Sequence, residues 1–228
     1  MGFYTDFKNP EARREIVRYY SFLREHETLY RGNRPYAEVL LLFPRTRVHD
    51  GDVAAVDRFK QIGKRLLNEH VLFDVLPDDR ATPTTRRPYT AIIDPSNSRL
   101  NATNVTTKLP SNLSQFKAPE TVRVSASRPA SGSELTLHLV NYNRTEPADK
   151  KERGKGIADE KPIATTAFEA ALKVPRGFRA SQIEFFTPEN EQAQKLEFRQ
   201  NGDRVSFQVP MLLVYGVVRI TPKSGITN

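Results

Sequence analysis

Three kinds of apolar patterning succeed one another along the chain. The first is helical. Asn9-Pro10-Glu11 reads as a helix start, with Asn as cap, Pro at the first helical position and an acid in the first turn. Ile16, Val17, Tyr20 and Leu23, then Leu29 and Tyr30, supply its apolar positions, and Gly32 ends it. This helix either packs on the sheet that follows or links to something upstream.

The second pattern reads strand, helix, strand. Glu38-Val39-Leu40-Leu41-Leu42-Phe43 is a near-continuous apolar run, as a parallel strand covered on both faces requires. Pro44 stops it and a basic turn with Arg45, Arg47 and His49 follows. Asp50-Gly51-Asp52 then opens a helix with Asp50 placed to cap it. Val53, Val56, Phe59, Gly63, Leu66, Leu67 and His70 would line one face of that helix. Leu72–Leu76 is a second strand, which completes a right-handed parallel βαβ unit. Tyr89–Asp94 reads as a third strand, and residues 96–117 as loop with one helical turn near Leu113–Phe116.

From Thr121 the period becomes two. Seven strands are expected, at Thr121–Ser127, Leu135–Val140, Ala164–Val174, Gln182–Phe186, Lys195–Arg199, Val205–Val209 and Leu213–Thr221. Asn201-Gly202-Asp203 marks a hairpin, and the charged segment from Glu146 to Lys161 an exposed loop. The expected fold is therefore α/β plus all-β. A small flavodoxin-like parallel-sheet domain over residues 1–117 precedes an antiparallel β-sandwich over 118–228.

Composition narrows the chemistry. Absence of cysteine excludes disulfides, thiol nucleophiles and zinc–cysteine sites. The net charge of +8 is spread evenly, with no basic cluster longer than a pair, so nucleic acid is not an expected partner. No apolar run approaches the roughly 20 residues of a membrane span, and no signal peptide is visible at the start; the compartment stays open. No nucleophile elbow, Walker loop or dinucleotide fingerprint occurs, and Gly154-Lys155-Gly156 sits in a charged loop rather than between strand and helix. No two histidines share the spacing of a helical metal site, and no cofactor is expected.

The two halves together resemble the end of a family 42 glycoside hydrolase of the β-galactosidase type. Arg34–Phe43 (RPYAEVLLLF) and Leu67–Asp78 (LNEHVLFDVLPD) resemble its flavodoxin-like trimerisation domain. Leu137–Asn143 (LHLVNYN), Val174–Phe178 (VPRGF), Asn201–Pro210 (NGDRVSFQVP) and Leu213–Val218 (LVYGVV) resemble its terminal sandwich. The catalytic carboxylates of that family lie on a barrel that this chain lacks, so the resemblance implies no catalytic residue here. It implies a non-catalytic accessory region whose partners are a catalytic barrel domain or further copies of itself.

Two other readings stand beside it. A carbohydrate could bind the sandwich through exposed aromatics drawn from Tyr142, Phe178, Phe185, Phe186 and Tyr215, tryptophan being absent. Alternatively, a small enzyme could use the crevice at the strand ends, where Arg45, Arg47, His49, Asp78 and Asp79 are the candidate ligand-binding residues.

Overall fold

A computed structural model describes residues 10–129, 132–149 and 160–223. Asn9, the glycine pair at 154 and 156, and most of the charged loop lie outside the described residues.

Helix α1 (Pro10–Glu25) is followed by a 3₁₀ turn and by strand β1 (Asn33–Pro35). The α/β unit comes next: β2 (Val39–Phe43), the single-turn α2 (Arg45–His49), α3 (Val53–Asn68), β3 (Phe73–Pro77), α4 (Pro83–Arg86) and β4 (Ala91–Ile93). The remainder is extended: β5 (Gln115–Phe116), β6 (Val122–Pro129), β7 (Leu135–Asn141), β8 (Phe168–Lys173), β9 (Ala180–Phe186), β10 (Gln194–Lys195), β11 (Phe198–Asn201), β12 (Arg204–Val209) and β13 (Tyr215–Pro222).

The expected α/β-plus-sandwich fold is present. Strands β3, β2 and β4 form a parallel sheet in that order, the first strand in the middle, as at the start of a flavodoxin-like sheet. The sandwich pairs a six-stranded sheet, β1-β6-β7-β13-β9-β10, with a four-stranded one, β11-β12-β8-β5. Alternation in β8 and β12 sends Phe168, Ala170, Leu172, Val205, Phe207 and Val209 inward. They meet Leu137, Leu139, Ile183, Phe185, Val218 and Ile220 from the larger sheet in one core.

Helix α1 lies on the outer face of the larger sheet, where Phe22 and Leu29 pack with Phe186 and Val217. This explains why Gly216, Val217 and Val218 are buried in succession: both faces of β13 are covered. Strand β1 joins the same sheet antiparallel to β6, so the whole α/β unit is an excursion between two adjacent strands.

Several local expectations are corrected. The cap of α3 is Asp52, whose carboxylate accepts the Ala55 N–H at 3.0 Å, and not Asp50, which ends α2. The basic turn after β2 is itself helical, closed by Gly51 at φ 79°. The buried face of α3 is Ala55, Ile62 and Leu66, with Phe59 beside them; Val53 and Leu67 are exposed. Gly63 lies over Leu41, where a Cβ would make an ordinary contact at 3.5 Å. The helical turn expected near Leu113–Phe116 is strand β5, and a 3₁₀ turn lies earlier, at Thr106–Lys108. The single strand expected at Lys195–Arg199 is two, β10 and β11, on opposite sheets.

Candidate functional site

The strand-end crevice of the α/β unit assembles in part. Arg45 opens α2 directly after β2, and Asp78 and Asp79 start a 3₁₀ turn directly after β3, so parallel pairing of the two strands sets them side by side. The Arg45 Nε donates to Asp79 Oδ2 at 3.0 Å, and the Nη2 contact reinforces it. That hydrogen bond holds the Asp79 carboxyl below its usual range, although the residue is exposed. Asp78 accepts the Thr46 N–H at 3.1 Å and the Asp79 N–H at 2.8 Å, which fastens the first turn of α2. Arg47 and His49 stand exposed on α2 and are not among the partners of either carboxylate. Both aspartates thus serve the backbone and a neighbouring arginine. Glycoside hydrolysis needs two carboxyls about 5–10 Å apart across a sugar; here one carboxylate accepts backbone N–H groups and the other is held by Arg45.

Three polar centres carry more of the structure than the crevice does. The first is Glu38, buried at the head of β2. Its carboxylate accepts the Ser114 N–H at 2.9 Å, and the Ser114 hydroxyl accepts the Lys173 N–H at 2.9 Å. One chain of bonds therefore ties the α/β unit to the segment before β5 and to β8. Burial raises the Glu38 carboxyl pKa, opposed by the Ser114 bonds and by Lys173 and Arg204 nearby. A charged residue heading a wholly apolar strand was the signal available in the sequence.

The second centre joins α1 to the sandwich. Tyr215 donates its hydroxyl hydrogen to Tyr30 Oη at 3.0 Å, so His138 Nδ1, 3.0 Å from the Tyr215 oxygen, is the donor to it. His138 Nε2 then accepts from Ser127 Oγ at 3.3 Å. Burial lowers the His138 pKa and raises those of both tyrosines, which keeps all three neutral. His70, just past the end of α3, is buried with φ 55°, and its Nε2–H donates to Pro119 O at 3.0 Å.

The third is Asn141, buried at one end of the sandwich. Its Nδ2 donates to Ile163 O and to Leu213 O, each at 2.8 Å, and its Oδ1 accepts the Asn143 N–H at 3.0 Å. Its side chain reinforces segments that backbone bonds also join, Asn141 N–H to Val214 O and Ile163 N–H to Asn143 O.

Of the five sandwich aromatics considered for sugar stacking, Tyr142 alone is freely exposed, at 67 %. Phe185 and Phe186 belong to cores, Phe178 packs against one, and Tyr215 is in the hydroxyl chain. The outer face of the four-stranded sheet offers a different surface. Ala171 and Ser206 sit opposite each other in register at its centre, with Arg199 opposite Ser206 and Glu169 opposite Gln208. Small residues between longer polar ones leave a trough of about 650 Å³. No group of three or more His, Cys, Asp or Glu able to hold a metal ion occurs among the described residues.

No family model matches the sequence, and no curated protein sequence is similar to it. Solved structures are. One shares this fold: alpha-L-fucosidase isoenzyme 2 from Paenibacillus thiaminolyticus matches 90 % of this chain with a TM-score of 0.63 at 12 % identity. The match covers 51 % of the fucosidase, so this chain spans about half the length of that enzyme. Weaker likenesses are to a cycloisomaltooligosaccharide glucanotransferase from Paenibacillus sp. (13 % identity, 78 % of this chain and 27 % of that one, TM-score 0.36). Another is a family 44 endoglucanase produced by Clostridium acetobutylium (13 % identity, 45 % and 17 % of the two chains, TM-score 0.27). These last two fall below a shared fold. The likeness is of architecture, it transfers no residue, and it does not single out family 42.

Proposed function

We propose that this chain is a non-catalytic accessory region of a carbohydrate-active protein, which supports a catalytic barrel. The observation that carries the reading is the fold match to the fucosidase, which takes in nearly all of this chain and half of the other. The use of Asp78 and Asp79 as a helix fastener and an arginine partner agrees with it. The test is direct. The chain is incubated with a panel of aryl glycosides that includes the α-L-fucoside and the β-galactoside. Release no faster than the blank is the expected result. Turnover that is lost in Asp79→Asn would replace this reading with that of a small enzyme at the strand ends.

A second reading, carbohydrate recognition by the sandwich, is favoured by the trough over Ala171 and Ser206. Its amide, guanidinium and carboxylate groups suit sugar hydroxyls, while its two aromatics, Phe198 and Phe207, pack with the sandwich core and leave little ring face for a sugar, which makes the affinity weak. Amide chemical-shift changes confined to β8, β11 and β12 on adding an oligosaccharide would establish it, and changes elsewhere or none at all would remove it.

A further inference from the structure

Strands β10 and β11 follow one another in the chain but lie on opposite sheets, so the chain crosses the edge of the sandwich between Lys195 and Phe198. A pocket of about 580 Å³ opens beside β11, where β9 begins and β13 ends. Ala180 and Phe198 are its apolar lining, and Arg179 and Lys223, both exposed, its charged lining. No carboxylate lines it; Asp203, which follows Gly202 in the hairpin, is not among the lining residues.

The other polar side chains of the wall are used by the protein itself. Gln200 Oε1 accepts the Ala180 N–H at 2.9 Å, and Nε2 donates to Phe178 O at 2.8 Å and to Gly202 O at 3.1 Å. The Ser181 hydroxyl donates to Pro222 O at 3.0 Å. What is left over is positive. Strand β13 pairs with β9 through Pro222 and Ala180, and the Lys223 N–H donates to Arg179 O at 2.7 Å, which carries the ladder one residue further. Arg179 and Lys223 therefore stand opposite each other across two strands, a placement that is unfavourable for like charges. Among the described residues neither makes an ion pair. Arg179 Nη1 donates to Gly202 O at 3.2 Å, which fixes one end of the guanidinium. Nε and Nη2, the edge with two parallel N–H groups, have no protein partner among the described residues.

We propose that this pocket binds the carboxylate of an acidic sugar, its two oxygens on the Nε and Nη2 edge of Arg179, with Lys223 as the second cation. The planar fork matches a carboxylate, and the anion relieves the opposition of the two cations. The volume is within the roughly 300–1,000 Å³ of small-molecule sites, so the ring that carries the anion has room. The oxyanion follows from the pocket alone, whereas the sugar that carries it rests on the proposed role in a carbohydrate-active protein.

Titration of the intact, isotope-labelled chain with D-glucuronate, D-glucose and inorganic sulfate at low ionic strength tests it, read from amide and arginine Nε–H chemical shifts. Glucuronate is expected to move the signals of Arg179, Gly202 and Lys223 and to saturate at about millimolar concentration. Glucose should leave them unmoved, and sulfate should move them but saturate later. Arg179→Gln should weaken glucuronate binding about tenfold and Lys223→Gln about threefold, with the other amide signals unchanged as the check on folding. No shift with glucuronate, equal shifts with glucose, or binding indifferent to Arg179→Gln overturns the site. Sulfate as tight as glucuronate overturns the sugar and leaves the anion. Glycoside turnover, which would remove the accessory reading, is a separate observation from any of these.

Discussion

Gly216 and Glu38 show how single positions set the core. A Cβ on Gly216 would come within 2.5 Å of the Phe185 ring, which is itself locked between the two sheets. Gly216→Ala is therefore expected to cost about 1–3 kcal/mol, the range for overpacking, read from urea unfolding. Glu38→Ala strands the Ser114 N–H in a buried place and should cost a similar ~1–3 kcal/mol. Its titration adds a second readout. The folded pKa of Glu38 lies above the unfolded value of 4.5, so the folded state holds the proton more tightly. The resulting stabilisation is full below pH 4.5 and is lost as pH rises through the raised value. Glu38→Gln should remove this falling slope, which unfolding free energies measured from pH 4.5 to 7 would show. An unchanged slope would mean that Glu38 titrates as it does in the unfolded chain.

At the level of elements, legibility followed sequence distance. Strand β2, helix α3 and the Asn201–Arg204 hairpin were legible because each is specified by residues within one short window; Gly202, at φ 59°, supplies the turn. The sequence did not reveal β1 or β5. Each is two or three residues long and extended only because a remote partner holds it: β6 for one, β8 and the Glu38–Ser114 bond for the other. The crevice was half legible for the same reason. Adjacency of strand ends brought Arg45 to Asp79, whereas the orientation of Arg47 and His49 depends on α2, a helix where a turn had been expected. The correction at the start of α3 can be tested by itself. Asp52→Ala should cost about 1 kcal/mol, the worth of a lost N-cap, and Asp50→Ala a few tenths at most. Equal losses from the two variants, in thermal or urea melts, would contradict the assignment of the cap.

Over the whole molecule, the α/β unit and the sandwich are not separable bodies. Leu72, just before β3, lies in the sandwich core, Tyr36 packs against that core, and the Tyr36 hydroxyl donates to Lys173 O at 2.9 Å. His70 and Asn68 reach Pro119 and Arg123 from the end of α3. Urea unfolding followed by tyrosine fluorescence and by far-ultraviolet circular dichroism should therefore give a single coincident transition. Residues 118–228 expressed alone should aggregate or fail to fold, because α1 no longer covers the outer face at Phe186 and Val217 and β1 no longer pairs with the β6 edge. Two separated transitions, or a folded and monomeric 118–228 piece, would show that the shared core contributes little.

The seat of Phe22 against Phe186, Val217 and Tyr215 has a consequence for the making of the chain. On a ribosome the helix emerges well before its seat, because nearly 200 residues separate Phe22 from Val217. At typical elongation rates of roughly 5–20 residues per second the interval is about 10–40 s. For that time the inner apolar side of α1 has no native cover, and β1 must likewise wait for β6. The seat of α1 therefore forms only once β9 and β13 are available to it. The nascent helix, apolar on both sides, is the segment a chaperone would hold meanwhile.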